Sequence, residues 1–179
     1  MMADSRHCFE TSSGGSPAAN SRLESVIRRL LAQRDILDAI YPAVLAIDGP
    51  AIELGLGNGR TFDHLRKRLP GRRIIAFDRV LAAHRNSVPP EGDLVLGEIS
   101  ETAARFAGIG AALVHADVGT GYQEKDARTL TWLPGLVASL LRPSGLAASG
   151  LPLDHPDLEP LPVPPGVPEG RYFLYRRRG

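Results

Sequence analysis

The chain contains little cysteine, little net charge and few aromatic residues. Its 179 residues include a single cysteine, Cys8, which excludes an internal disulfide and a multi-cysteine zinc site, and we predict no metal centre. Lysine plus arginine number 21 against 20 acidic residues, so the formal net charge of +1 provides no global field that would attract nucleic acid. The scarcity of cysteine fits a reducing compartment, and we expect a cytoplasmic protein.

Long apolar runs are also missing. None approaches the roughly 20 residues that a membrane-spanning helix needs, and residues 1–20 lack the apolar stretch of a secretory signal. We therefore expect a protein that is neither exported nor embedded in a membrane. Residues 1–20 are polar and show no hydrophobic period, which predicts a flexible tail, and residues 21–179 have the length of a single domain.

Ser21 and Glu24 stand at the start of a periodic apolar segment. Their spacing is typical of a capping box, in which the serine hydroxyl and the glutamate carboxylate each accept a hydrogen bond from an amide of the first turn. Apolar residues then recur every three or four positions and predict an added N-terminal helix over residues 21–41. This stripe comprises Leu23, Val26, Ile27, Leu30, Leu31, Leu37 and Ile40. It can cover a sheet or pair with its copy in a second subunit, so a homo-oligomer is one expectation.

Short apolar runs alternate with helical patterns after residue 50. The runs are too short for helices and are typical of strands buried on both faces, at 51–54, 74–77, 94–96, 111–114 and 146–148. Helical segments lie between them at 62–69, weakly at 80–84, at 101–106 with Ser100 as cap, and at 125–141 with a kink or restart at Pro134. The alternation predicts an α/β fold with a doubly wound, mostly parallel sheet.

The end of the chain has a different composition. Residues 151–168 hold seven prolines, which cannot supply the donors of a strand ladder, and we predict an extended surface connection there. Residues 171–176 then have the pattern of a final strand. Because no helix is predicted between 146–148 and this strand, it can run antiparallel to its neighbour.

Three glycines at alternate positions follow the first predicted strand, at Gly55, Gly57 and Gly59. Such a bend, between a strand and a helix, lets a ligand lie against the main chain at the edge of an open parallel sheet. A dinucleotide-binding motif would require glycine at position 60, where Arg60 stands. The pattern is E-x-G-x-G-x-G, beginning at Glu53.

At these residues the chain resembles the class I, Rossmann-like methyltransferases that use S-adenosylmethionine, and more narrowly the compact bacterial members whose substrates are uncharacterised. The resemblance implies S-adenosyl-L-methionine as cofactor and S-adenosyl-L-homocysteine as product. It also implies that Glu53 faces the methionine end of the cofactor. The implied contacts from the bend are Gly55, Leu56, Gly57, Asn58 and Gly59.

The next two strand ends carry further acids. Asp78 ends the second predicted strand and can accept hydrogen bonds from both ribose hydroxyls, with Arg79 beside it. Gly97, Glu98 and Ile99 follow the third strand and resemble the acidic-apolar pair of the family, which implies that the glutamate binds the adenine amino group. A site bordered by carboxylates suits the cationic cofactor better than a pyrophosphate.

The acceptor side is less defined by the sequence. His115 and Asp117 lie two apart at the fourth strand end and share a face, so we predict a base and its orienting group there, with Asp117 also touching the cofactor; a buried core role for His115 is the competing interpretation. Weaker candidates for this side are Tyr122, Asp126 and His155.

The sequence has no Asn/Asp-Pro-Pro-Tyr/Phe element of amino-directed nucleic-acid methyltransferases, which disfavours a nucleic-acid substrate. The resulting hypothesis is an enzyme that methylates oxygen or nitrogen of a small molecule. Two alternatives remain at this point: a non-catalytic S-adenosylmethionine-binding scaffold and a nicotinamide-binding oxidoreductase.

Overall fold

A computed structural model describes residues 21–179, and the tail predicted for residues 1–20, including Cys8, lies outside the described residues. The strands are β1 (Ala51–Leu54), β2 (Ile74–Asp78), β3 (Leu94–Leu96), β4 (Ala111–Ala116), β5 (Leu141–Ser149), β6 (Leu158–Leu161) and β7 (Phe173–Arg177). They form one sheet in the order β3-β2-β1-β4-β5-β7-β6. Neighbours among β1 to β5 are parallel, and β7 is antiparallel to both β5 and β6. The predicted fold class is confirmed.

Helices cover both faces of this sheet. They are α1 (Arg22–Leu45), α2 (Arg60–Arg68), α3 (Ile99–Thr102), α4 (Gln123–Leu130) and α5 (Leu133–Leu140), with 3₁₀ turns at Arg85–Ser87 and Ala103–Phe106. One apolar core lies under α1 and α2, and a second lies under α5 and the second 3₁₀ turn. In the second core Phe77 packs edge to face on Phe106, with ring centroids 5.1 Å apart. None of the described helices is both long and apolar enough to cross a membrane.

The start of α1 follows its sequence signal in part. The Ser21 hydroxyl accepts a hydrogen bond from the Glu24 amide at 3.1 Å, as a capping serine does. The Glu24 carboxylate does not accept the second hydrogen bond of the capping box, because it pairs with Arg28 one turn later at 3.3 Å. The capping box predicted here is therefore only half formed.

The end of α1 lies beyond the predicted residue 41. The helix includes Pro42 and continues to Leu45. Arg72 satisfies carbonyl groups at this end, donating to Val44 at 3.0 Å and to Ile47 at 2.9 Å. A basic side chain that binds the last carbonyls of a helix stabilises its C-terminus, and α1 here ends beyond its proline.

Only the second half of the apolar stripe of α1 is buried. Ile36, Leu37 and Ile40 pack in the core between α1 and the sheet. The first half is exposed: Leu23, Val26, Ile27 and Leu31 keep between 42% and 69% of their surface. The helix therefore extends past the sheet at its N-terminal end.

Two short predicted helices differ in the structure. Residues 80–84 form no helix, since Val80 and Leu81 are largely exposed and have no core to pack on; a 3₁₀ turn begins only at Arg85. The next helix is capped by Glu98 instead of Ser100, and it starts at Ile99 and tightens into the 3₁₀ turn.

The second half of the chain also refines the prediction. Residues 125–141 form two helices, α4 and α5, and Pro134 lies in the first turn of α5, where a missing N–H is tolerated. β5 begins at Leu141, five residues before the strand predicted at 146–148. The proline-rich connection supplies the edge strand β6, which was not predicted; its Pro160 is tolerated because an edge strand has one unpaired side.

Candidate functional site

The glycine bend after β1 has the backbone that the sequence predicts. Gly55, Gly57 and Gly59 have φ of 89°, 52° and 79°, in the left-handed region that favours glycine. A Cβ on Gly55 would lie 2.8 Å from the Asp117 carbonyl oxygen, and one on Gly59 would lie 2.6 Å from the Ser87 Cβ. A Cβ on Gly57 would meet no protein atom within 4 Å. The bend is therefore packed at its two ends and open in its middle.

Asp78 binds this bend from the neighbouring strand. Its carboxylate accepts hydrogen bonds from the Gly57 amide and from the Arg79 amide, each at 2.7 Å. The β1–β2 pairing places the tip of β2 beside the start of the bend, which explains the contact. Asp78 thus holds the bend while lining the cleft above it.

A cleft of about 770 Å³ lies at the C-terminal edge of the parallel strands. This is where ligands bind in open α/β sheets. The structure brings nine of the predicted cofactor residues to its wall: Gly55, Leu56, Gly57, Asn58, Asp78, Arg79, Glu98, Ile99 and Asp117. Gly59 and Gly97 lie behind the wall, where Gly59 caps α2 and the Gly97 amide donates to the Asp78 carbonyl at 2.9 Å.

Glu53 and His115 are both fully buried and do not line the cleft. His115 Nδ1 is 2.8 Å from the Glu53 carboxylate, and Nε2 is 2.6 Å from the Tyr172 hydroxyl. The Thr61 hydroxyl donates to the other Glu53 oxygen. We call Glu53, His115 and Tyr172 the buried chain, in which His115 bonds to the other two residues.

The register of the sheet explains this buried chain. Glu53 pairs with His115 across β1 and β4, so both side chains point to the same face. Each is also the last residue but one of its strand. A doubly wound sheet is expected to place β1 beside β4. Because Glu53 and His115 occupy the same position relative to their strand ends, the sequence contains a signal that could have predicted their contact.

The buried chain shifts two pKa values. Burial disfavours the charged imidazole, but the adjacent Glu53 carboxylate and its hydrogen bond raise the pKa of His115 above the ordinary value. Burial raises the pKa of the Tyr172 hydroxyl well above its usual range, and the Asp117 charge adds to this effect. The Glu53 carboxylate therefore favours the protonated form of His115, whereas the Tyr172 hydroxyl stays neutral.

The cleft has a second wall that the sequence does not predict. It is made by helices, and we call its residues the helical edge: Arg29, Leu30 and Gln33 from α1, Lys125, Arg128 and Thr129 from α4, and Trp132 after α4. Arg29 Nη1 lies 3.4 Å from both carboxylate oxygens of Asp117. No spacing in the sequence indicates these residues, because their approach depends on how α1 and α4 pack.

The loop between β4 and α4 is tied to that helix. Asp126 accepts hydrogen bonds from the amides of Thr120 at 2.7 Å and Gly121 at 2.9 Å. Burial opposes its charge, yet these bonds lower the pKa of Asp126. Tyr122 and His155, the other weak candidates, do not line the cleft: Tyr122 is 64% exposed, and the His155 ring accepts a hydrogen bond from the Asp157 amide.

The wall of strand tips fits a cationic adenosine derivative, whereas basic side chains also line the cleft, namely Arg29, Arg60, Arg79, Lys125 and Arg128. Asp78, Glu98 and Asp117 come from the ends of three strands and present carboxylates to the same cleft. Carboxylates attract a sulfonium and an ammonium group, and they would repel a pyrophosphate. The open space at Gly57 gives a ligand direct access to the main chain. Among residues 21–179, no three histidine, cysteine or acidic side chains are grouped to hold a metal ion.

Comparisons with known proteins agree with this chemistry. A family model described as S-adenosyl-L-methionine methyltransferase matches residues 20–177. A crystal structure of an S-adenosyl-L-methionine methyltransferase from Silicibacter pomeroyi is similar at 42% identity and a TM-score of 0.82, covering 89% of this chain and 99% of that one. A search of curated proteins finds no match.

More distant structures share the fold. The Burkholderia thailandensis 1,6-didemethyltoxoflavin-N1-methyltransferase, with bound 1,6-didemethyltoxoflavin and S-adenosylhomocysteine, has 20% identity and a TM-score of 0.50, with 97% and 99% of the two chains covered. An O-methyltransferase family protein from the same organism has 16% identity and a TM-score of 0.53, with 87% and 58% covered.

The family match favours a methyltransferase over both alternatives, the nicotinamide-binding oxidoreductase and the non-catalytic scaffold. It also agrees with the E-x-G-x-G-x-G bend and with the acids at successive strand ends. The chain belongs to the S-adenosyl-L-methionine-dependent methyltransferase family, and S-adenosyl-L-methionine is its cofactor.

Proposed function

We propose that this methyltransferase acts on a small molecule, through an oxygen or a nitrogen atom. The observation that carries the proposal is the cleft of about 770 Å³ enclosed between the strand tips and the helical edge. Sites for small ligands are concave and typically measure about 300–1,000 Å³, so this cleft has the size to hold the cofactor beside a small acceptor. The toxoflavin methyltransferase supports the proposal, since a protein of this fold holds a small acceptor together with the cofactor product.

Roles for the lining residues follow from their chemistry and form part of the proposal. Asp78 would accept hydrogen bonds from ribose hydroxyls, Glu98 would bind the adenine amino group, and Ile99 would pack on the ring. The bend at Gly55 and Gly57 would carry the cofactor on its main chain. Gly59 and Glu53 act from behind the wall, by packing and by bracing the bend.

When bound, the cofactor supplies a methyl group whose carbon is activated for in-line displacement because it is bonded to a sulfonium sulfur. The residues of the chain then have to position the acceptor and exclude water, which can account for most of the rate. Of the two predicted catalytic residues, only Asp117 lines the cleft; His115 has no exposed surface and both of its ring nitrogens are engaged. A catalytic role for Asp117 stays a prediction, and the structure favours a positioning role for His115.

The proposal is tested by measuring S-adenosylhomocysteine formation with small hydroxyl and amine compounds, and separately with ribosomal RNA, transfer RNA and peptides. We expect turnover only in the small-molecule set. Gly57→Val should abolish it because a side chain there enters the open part of the cleft, whereas Gly71→Val, at a similar φ outside this cleft, should retain it. Methylation of RNA or peptide alone would contradict the proposal.

We also propose a cytoplasmic location and self-association through α1. The single cysteine supports a reducing compartment. Exposed Leu23, Val26 and Ile27 support a second copy as the partner, since contiguous apolar side chains on a surface favour association. Sedimentation of the wild type and of Val26→Glu/Ile27→Glu tests this: the wild type should sediment as a dimer and the variant as a monomer, and a monomeric wild type would contradict it.

A further inference from the structure

Three residues of α1 reach the cleft within little more than one helical turn. Arg29, Leu30 and Gln33 lie on the side of the helix that faces the end of β4, above the stretch where α1 packs on the sheet. Arg29 and Gln33 are four residues apart and therefore share a face. Both carry N–H donors, so this face of α1 presents donors to the cleft.

Arg29 faces the Asp117 carboxylate without forming a close hydrogen bond to it. Its Nη1 lies 3.4 Å from each Asp117 oxygen, longer than the 2.7–2.9 Å of a close charge-assisted hydrogen bond. The Arg29 side chain keeps 39% of its surface and Asp117 keeps 19%, so both groups remain open to the cleft. The pair therefore presents a positive and a negative charge side by side.

A second, independent observation concerns the buried side-chain amide of Gln33. Its side chain is 98% buried and lines the cleft, and its amide nitrogen has no hydrogen-bond partner among the described residues. The amide lies near the Tyr172 hydroxyl and partly offsets the rise in its pKa, but no hydrogen bond of normal geometry joins the two groups. A buried donor without an acceptor is unfavourable and is expected to gain one when the site is filled.

The amino-acid end of S-adenosylmethionine has the complementary groups, an ammonium and a carboxylate. We propose that Arg29 and Gln33 bind its carboxylate while Asp117 binds its ammonium. The adjacent Gly55 bend supports the assignment, because it brings the Asp117 main chain within contact of the glycine loop. The first predicted helix is thus part of the cofactor site, and the inference rests on the cofactor without depending on the acceptor.

Calorimetric affinities of three ligands test the proposal. S-adenosylhomocysteine carries both groups, its decarboxylated analogue carries only the amine, and 5′-methylthioadenosine carries neither. Arg29→Met keeps the apolar stem of the side chain and removes the charge, and Gln33→Met keeps its size and removes the donor. Arg34→Met is the matched control, because Arg34 is exposed on the same helix and pairs with Asp35 outside the cleft.

Arg29→Met should weaken S-adenosylhomocysteine binding by about tenfold or more, as expected for loss of a charged hydrogen bond, and Gln33→Met by about threefold to tenfold. Binding of methylthioadenosine should change by less than about twofold in both, and Arg34→Met should resemble the wild type for every ligand. The wild type should prefer S-adenosylhomocysteine to its decarboxylated analogue, and Arg29→Met should lose this preference.

An Arg29→Met protein that keeps wild-type affinity, or keeps the preference for the carboxylate, overturns the proposal. Equal weakening of all three ligands overturns it as well, because that result indicates a general disturbance of the cleft. These outcomes are independent of the acceptor: turnover of RNA instead of small molecules would contradict the proposed function and leave the ligand affinities unchanged.

Discussion

The two walls of the cleft are built in different ways. The wall of strand tips consists of the glycine bend and of carboxylates such as Asp78, which accepts hydrogen bonds from backbone amides, and the buried chain lies behind it. The helical edge consists of side chains that project from α1 and α4, and its ion pair Arg29–Asp117 is long. Backbone geometry therefore defines the cofactor wall, whereas individual side chains define the helical edge. Substitutions at the edge can alter binding with little effect on the fold.

The largest expected effect lies behind the strand tips. His115→Ala would leave the Glu53 carboxylate buried without its cationic partner, and breaking such a pair costs about 3–5 kcal/mol of unfolding free energy. Urea unfolding measures this loss. His84→Ala is the control, since exposed His84 only accepts a hydrogen bond from the Asn86 amide; its cost should stay below about 1 kcal/mol. Similar costs for the two variants would mean that the buried chain adds nothing to the wall.

A second prediction separates backbone strain from access to the cleft. Gly57 and Gly71 have φ of 52° and 77°, and a Cβ on either would meet no protein atom within 4 Å. Valine should therefore cost similar stability at both positions, about 1–2 kcal/mol. Calorimetry should show more than about tenfold weaker S-adenosylhomocysteine binding for Gly57→Val alone, because only that side chain enters the cleft. Equal affinities would place the ligand away from the bend.

The same contrast explains what the sequence predicts. β1, β2 and β4 are short apolar runs, and the glycine bend needs residues that tolerate positive φ, so local composition indicates both. The strand tips are then ordered by topology, and the cofactor wall follows from the acids at their ends. This is why nine predicted residues meet at one wall.

The helical edge has no such local signal. Arg29 and Gln33 precede the first strand by about twenty positions in sequence, and they reach the cleft only because the buried half of α1 packs across the sheet. The helix predicted at 80–84 fails for a related reason: Val80 and Leu81 have the apolar character but no neighbour to cover them. The edge strand β6 is not predicted because it contains Pro160. A proline is tolerated there because an edge strand has one unpaired side, and its place at the edge depends on tertiary structure.

Titration of the buried chain provides a third prediction. Burial lowers the pKa of His115, and the Glu53 carboxylate raises it, with a net increase above the ordinary value of 6.5. The NMR-measured pKa should therefore exceed 6.5 in the wild type and fall below it in Glu53→Gln, where mainly burial remains. A raised folded-state pKa contributes stability that is complete below the unfolded-state pKa and is lost as pH rises through the folded-state pKa. An unchanged pKa in Glu53→Gln would show that the pair is not ionic.

The smallest effect is expected at the loop beside the helical edge. Asp126→Ala removes the acceptor of the Thr120 and Gly121 amides, and the loss of such hydrogen bonds costs about 1 kcal/mol. Because the folded-state pKa of Asp126 is lowered, its contribution is present above the unfolded-state pKa and is lost as pH falls through the folded-state value. S-adenosylhomocysteine affinity should change by less than about twofold, since the Asp126 side chain itself does not line the cleft. Glu124→Ala, on the same exposed turn of α4, is the control for charge. If Asp126→Ala weakens cofactor binding as strongly as Gly57→Val, the two walls are coupled and the distinction between them is wrong.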